Sequence, residues 1–185
     1  MRKVVAGVFI AAALTTAGCS GFSREAKKRN PAPCPNILVL SDAARAVEFD
    51  GEQTLEDVAY TAEITDVTLA CRYFADKPIA AEVSVDLAFG RGPRAGSREH
   101  EYKYFVAVTR RDSEVIVKEE YTIPVKFDRD RDTARVREKI DKIIIPRASE
   151  KTSGTNFEII VGLSLTADQV IFNRSGKSLK FPGLQ

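Results

Sequence analysis

The chain has 185 residues, with 28 Lys and Arg against 26 Asp and Glu, one His, three Cys and no Trp. A net charge of +2 supplies no strongly basic balance of the kind nucleic-acid binding draws on, so no nucleic-acid partner is expected. A single histidine and the absence of a Cys-x-x-Cys pair leave no familiar metal or redox motif, and no cofactor is expected.

At the N-terminus, Arg2 and Lys3 precede the apolar run from Val4 to Leu14, VVAGVFIAAAL. A stable membrane span needs about 20 apolar residues, so this run is too short. A charged start followed by an apolar region of about 7–15 residues fits an export signal. The run closes on Leu14-Thr15-Thr16-Ala17-Gly18-Cys19-Ser20, where Ala17 and Gly18 leave the backbone accessible to a peptidase just before Cys19.

This stretch resembles the processing signal of bacterial lipoproteins, with Thr16 standing where that family most often carries Leu. The resemblance covers residues 1–21. It implies a signal peptide over residues 1–18, removed after diacylglycerol is attached to the Cys19 sulfur, and acylation of the new amino terminus. Ser20, rather than Asp, after the cysteine implies release to the outer membrane, facing the periplasm. An ordinary secretory signal with an incidental cysteine, or an uncut signal anchor, is the competing reading.

Residues 19–33 then form a lipidated tether, SGFSREAKKRNPAP after the cysteine, and residues 34–185 a single β-rich domain. Loss of Arg2 and Lys3 with the signal brings the two signs of charge into balance. Lys27-Lys28-Arg29 either sit over anionic lipid or belong to a plain solvated tether. With Cys19 lipidated, Cys34 and Cys71 remain in an oxidising compartment, where a disulfide between them is expected. Two buried free thiols are the alternative.

Along the domain, residues 36–41 (NILVLS) read as a short strand, residues 42–45 as a turn, and Val47-Glu48-Phe49 leads to a turn at Asp50-Gly51. Residues 58–74 alternate with Val58, Tyr60, Ala62 and Ile64 on one face, then change phase to Val67, Leu69, Cys71 and Tyr73. A β-bulge at Thr65-Asp66 would absorb that change, as would a break into two strands. Ile79, Ala81, Val83, Val85, Leu87 and Phe89 alternate cleanly as a half-buried strand. A long loop, GRGPRAGSREH, follows.

Residues 102–110 and 114–127 then form an expected hairpin across a turn at residues 110–113. Val115, Val117, Tyr121, Ile123, Val125 and Phe127 share one phase, with Glu119 the polar exception. Pro124 removes a ladder donor, which places that strand at an edge or at a bulge. Residues 128–145 are ambiguous. Val136, Ile140, Ile143 and Ile144 fit a helical stripe, but the β-branched run Ile143-Ile144-Ile145 favours a strand from about 138. Phe157, Ile159, Val161 and Leu163 give a further strand, and residues 166–169 begin a turn or short helix.

Seven strands with short connections and no long helix predict an all-β fold, a two-layer antiparallel β-sandwich, immunoglobulin-like in broad architecture, with a small β-barrel as the alternative.

No catalytic constellation emerges. His100 has no second imidazole or cysteine nearby in sequence, and lies in the expected loop beside Glu99 and Glu101. Asp128, Asp130 and Asp132 have the alternate spacing of a calcium loop, but Arg129 and Arg131 interrupt it and no downstream glutamate completes it. Asp66, Glu82 and Asp86 lie on strands, with Glu82 and Asp86 on the wet face. Ser41, Ser84 and Ser153 lack a nucleophile context. Arg91, Arg94 and Arg98 lack the Walker pattern and form a candidate partner-binding loop.

The expectation is a non-catalytic, membrane-tethered periplasmic module for protein binding or envelope assembly. It would contact membrane lipid through acylated Cys19 and an envelope protein through its sheet edges or arginine loop. A peptidoglycan-contacting structural lipoprotein and an envelope enzyme acting on lipid or glycan are the other classes.

Overall fold

The computed structural model describes residues 33–111 and 114–181. The expected signal, Cys19 and the tether up to residue 32 lie outside the described residues, as do Asp112 and Ser113 of the expected turn.

Among the described residues, eight strands form two sheets: β1 (Asn36–Val39), β2 (Arg45–Phe49), β3 (Val58–Arg72), β4 (Ile79–Arg91), β5 (Glu99–Arg110), β6 (Glu114–Lys126), β7 (Thr133–Ile145) and β8 (Phe157–Leu163). One sheet has the order β1-β8-β5-β6 and the other β2-β3-β4-β7. Neighbours are antiparallel except β1 and β8, which run parallel. The sheets pack face to face and neither closes on itself, so the fold is a β-sandwich and not the alternative barrel.

The core follows from alternation. On β4, Ile79, Val83, Val85, Leu87 and Phe89 are fully buried, while Glu82, Ser84 and Asp86 point outward. Opposite them, Tyr104, Val108, Ile159 and Val161 face inward from β5 and β8. On β3 the register slips between Ile64 and Asp66, which leaves Thr65 as the extra residue of the expected bulge. Pro124 sits on β6, an edge strand, where its missing donor costs no ladder bond.

Four readings of the sequence are corrected. The segment around Val47 is an eighth strand, because Arg45–Phe49 pairs along the first half of β3. Residues 133–145 are one strand that begins five residues earlier than the β-branched run suggests. Its register slips so that Ile140 opposes Val83 and Ile143 opposes Ala81. Three residues of β7 there span two of β4, and this bulge produces the helix-like spacing. On β6 the slip between Thr109–Val115 and Val108–Val117 turns Val115 out of the core phase, leaving it 61% exposed. Finally, the loop after β4 is shorter than expected, and His100 belongs to β5 rather than to that loop.

After β8, helix α1 (Ala167–Arg174) opens with a capping box, Thr166 receiving Gln169 N–H and the Gln169 side chain receiving Thr166 N–H. Phe172 of α1 and Phe181 of the following 3-10 turn close with Val47, Phe49 and Val58 on the outer face of β2 and β3. No helix among the described residues is long and apolar enough to cross a membrane.

Strand direction gives the sandwich two distinct ends. The near end carries Cys34, the end of β3 and the starts of β4, β6 and β8. The far end carries the loops 50–57, 92–98 and 127–132 and the start of α1. The Cys34–Cys71 disulfide forms at the near end, with Cα atoms 5.7 Å apart. Beside it, Tyr73 donates its hydroxyl to Pro33 O (2.9 Å) and accepts from Gly154 N–H. Arg147 stacks on the Tyr73 ring and donates to the carbonyls of Ala75, Lys77, Glu150 and Thr152.

Candidate functional site

At the far end the sheets diverge over β2, the first residues of β5 and the last of β8, and α1 closes one side. The result is a cleft of about 590 Å³. Its floor is apolar and aromatic, made by Phe49, Tyr102, Leu163 and Phe172, and its rim carries the carboxylates of Glu48, Glu101 and Asp168. Lys103 also lines it, but its ammonium lies 3.5 Å from Glu120. Glu120 in turn accepts a 2.7 Å bond from the Ser164 hydroxyl. That bond, with Lys103 and Lys118 nearby, holds the Glu120 carboxyl below its ordinary range. The lining is therefore amphipathic and predominantly anionic.

Behind the cleft, His100 holds two of its lining residues, Glu48 and Tyr102, without lining it itself. Its ring stacks on Tyr60 at 3.9 Å, meets Tyr102 edge-on at 4.6 Å, and places Nε2 3.2 Å from Glu48 Oε1. Tyr60 both donates to Ser97 O and accepts from Ser97 N–H, which ties the loop after β4 to this cluster. Burial pushes the Tyr102 hydroxyl far above its ordinary range, and the charge of Glu48 adds to the effect. Tyr102 therefore stays a neutral donor throughout the physiological range. Its hydroxyl is directed to Gly90 O (3.5 Å), so what the cleft offers is apolar surface and carboxylates, a chemistry suited to recognition.

The main chain of β2 beside the cleft is already occupied. Residues 45 and 47 turn their carbonyls away from β3, toward α1. There Gln169 donates to Val47 O (3.3 Å), and Asn173 donates to Arg45 O and Asp42 O (both 2.8 Å). A helix that caps an edge strand with its side-chain amides removes the template for strand addition. The cleft therefore offers side chains rather than a sheet edge.

The arginines of the candidate partner loop are engaged inside the molecule. Arg91 pairs with Asp132 (2.5 Å), Arg94 with Asp57 (3.1 Å), and Arg98 donates to Asp128 O (2.5 Å). They join the three far-end loops to one another. Asp57 also accepts from Thr54 Oγ1 and Glu52 N–H, and the Thr54 bond, ahead of those from Arg94 and Glu52, draws its carboxyl below the ordinary range. Gly92 lets this loop lie on β3, since a Cβ there would come within 2.2 Å of Val58 O.

Asp128 and Asp132 thus serve the arginine loop, and no group of three His, Cys, Asp or Glu among the described residues is placed to hold a metal ion. Asp86 pairs with Arg137 and Glu82 with Lys139 on the outer face of β4 and β7, while Asp66 stands opposite Asp86 in the ladder. Ser41 lies in a 3-10 turn, Ser84 on the outer face of β4, and Ser153 caps the 3-10 turn before β8 by accepting Thr155 N–H. The fold does not gather these residues into one site.

The cleft residues Glu48, Glu101, Tyr102 and Asp168 come from three distant segments, and sequence reading singled out none of them as functional. The only local signal was Thr166-x-x-Gln169, whose capping box marks the helix that forms the wall. No protein-family model matches the chain, and neither a curated protein nor a solved structure matches it.

Proposed function

We propose that this chain is a bacterial lipoprotein, anchored through acylated Cys19 and facing the periplasm from the outer membrane, and that it is a non-catalytic binding module for another envelope protein. The observation that carries the binding assignment is an apolar cleft with an acidic rim at the end of the sandwich opposite Cys34. β5 has 12 residues and spans about 40 Å. A tether entering at Cys34 would therefore present the cleft about a strand's length beyond that entry point. The cleft suits an extended peptide segment with apolar side chains for the floor and Lys or Arg for Glu48, Glu101 and Asp168. The arginine loop 91–98 gives the far end a fixed shape beside it.

The test is photo-crosslinking in the intact envelope from Gln53 and Lys103, both in the cleft lining. Ser84, on the outer face of β4, serves as the control position. Both cleft positions are expected to capture the same segment, rich in Lys or Arg. Glu48→Lys with Glu101→Lys is expected to cut the yield about tenfold, the effect of losing two charge-assisted contacts. An acidic captured segment, or a yield indifferent to the reversal, would overturn the assignment.

A further inference from the structure

We propose that the near end of the sandwich is a membrane-apposed surface, fitted to an anionic phospholipid bilayer. This rests on the reading of Cys19 as the anchor and adds how the domain stands over it. The described chain begins at Pro33, and the Cys34–Cys71 disulfide and the Tyr73–Pro33 bond pin that entry point to the near end. The 14 residues from 20 to 33 can span at most about 50 Å. An anchor at Cys19 would therefore hold the domain by this end and not by the cleft end.

The surface found there has the matching chemistry. Arg72, Ala80 and Ile144 lie in one ladder row across the outer face of β3, β4 and β7. Ile144 is 53% exposed, and Phe74, two residues beyond Arg72, is 48% exposed. Arg72, Lys77, Lys142 and Lys151 are exposed and hold no ion pair among the described residues. Against these four cations the loops of this end set the exposed carboxylates of Asp76 and Glu150, which leaves an excess of positive charge around the exposed apolar side chains. Such a surface suits the headgroup region, where cations draw toward anionic lipid and the apolar groups enter the boundary. The far end differs in its acidic cleft rim and in Arg91 and Arg94, which are paired to Asp132 and Asp57, although Arg129 and Arg131 of its loop 127–132 hold no ion pair among the described residues.

The chain lacks tryptophan, so one introduced Trp is an unambiguous reporter. Full-chain Phe74→Trp and Leu179→Trp proteins, each replacing an exposed residue, would be placed on vesicles containing about one third brominated anionic phospholipid. Leu179 stands beside Lys180 and Phe181, against the far-end loops 50–57 and 92–98. Intact mass reports acylation separately. Where the mass shows no acyl chains, the Cys19 reading fails, and the same quenching comparison on added protein still decides the surface. The position-74 reporter is expected to be quenched at least about threefold more strongly than the position-179 reporter, because surface attraction falls off within about a Debye length. Arg72→Glu with Lys142→Glu is expected to abolish the difference, as is replacing the anionic lipid with zwitterionic lipid. Equal quenching at the two ends, or quenching indifferent to lipid charge and to the reversal, would overturn membrane apposition.

Discussion

At the level of single residues, the near end depends on one covalent bond and one hydroxyl. The Cys34–Cys71 bond closes a sequence separation of 37 residues, and in the chain-entropy account a loop of that size contributes about 3–4 kcal/mol through the unfolded state. Cys34→Ser with Cys71→Ser is therefore expected to lower unfolding free energy by about that amount in urea titration, with a steeper slope because the unfolded chain without the cross-link exposes more surface. A loss below about 1 kcal/mol would mean that the Tyr73 and Arg147 contacts hold this end by themselves. Tyr73 is well placed to do so, since its hydroxyl joins the entry point at Pro33 to Gly154 just before β8. His100 shows how far a residue's setting can depart from its local sequence. Its neighbours are loop-like and charged, yet pairing with Val125 draws it into β5 and against Tyr60.

At the level of elements, α1 is the piece whose removal would change the molecule's behaviour most. Its eight residues are too few to be stable alone. Packing of Phe172 on Phe49 and Phe181, with the Thr166 capping box, keeps it in place. Gln169 and Asn173, one helical turn apart, donate to successive outward carbonyls of β2. Gln169→Ala with Asn173→Ala removes these donors and the Gln169 half of the capping box while leaving the Phe172 contacts. Gln169→Glu, which keeps an acceptor for Thr166 N–H but no donor for Val47 O, separates the two effects. Each lost bond is expected to cost about 1–2 kcal/mol. The uncovered β2 edge is also expected to pair between molecules. Sedimentation velocity would show dimers in the double variant at concentrations where the parent chain sediments unchanged. A destabilised variant with unaltered sedimentation would mean that α1 supports the sheet without guarding its edge.

At the level of the whole molecule, much of the architecture was legible because most strands alternate and the β3 bulge announces itself as a phase change. Three other features were hidden by the same physics. The bulge in β7 imitates a helical spacing, the bulge in β6 puts Val115 on the wrong face, and the parallel pairing of β1 with β8 joins segments too far apart for any local pattern to reveal. The cleft was illegible for the last of these reasons, because Glu48, Tyr102 and Asp168 meet only through tertiary packing. The strand phases do contain one more whole-molecule device. Glu119 opposes buried Val106 and Glu138 opposes buried Val85, so both face the core side. They sit on β6 and β7, the two edge strands along the open side of the sandwich. Glu119 accepts the Tyr121 hydroxyl at 2.7 Å, and Glu138 helps burial push the Tyr104 hydroxyl upward. Between the two strands runs a groove of about 260 Å³ lined by Ile116, Val117 and Ile143. A carboxylate pointing inward on an edge strand makes that edge costly to bury in a second sheet. Glu119→Val with Glu138→Val should therefore extend both apolar stripes and raise the unfolding free energy by about 1 kcal/mol or more. The same change should convert the protein to concentration-dependent oligomers, measured by light scattering beside urea unfolding. A double variant that gained stability and stayed at the parent's oligomeric state would show that the glutamates do not protect these edges, and Pro124 on β6 would be the remaining local guard on that strand.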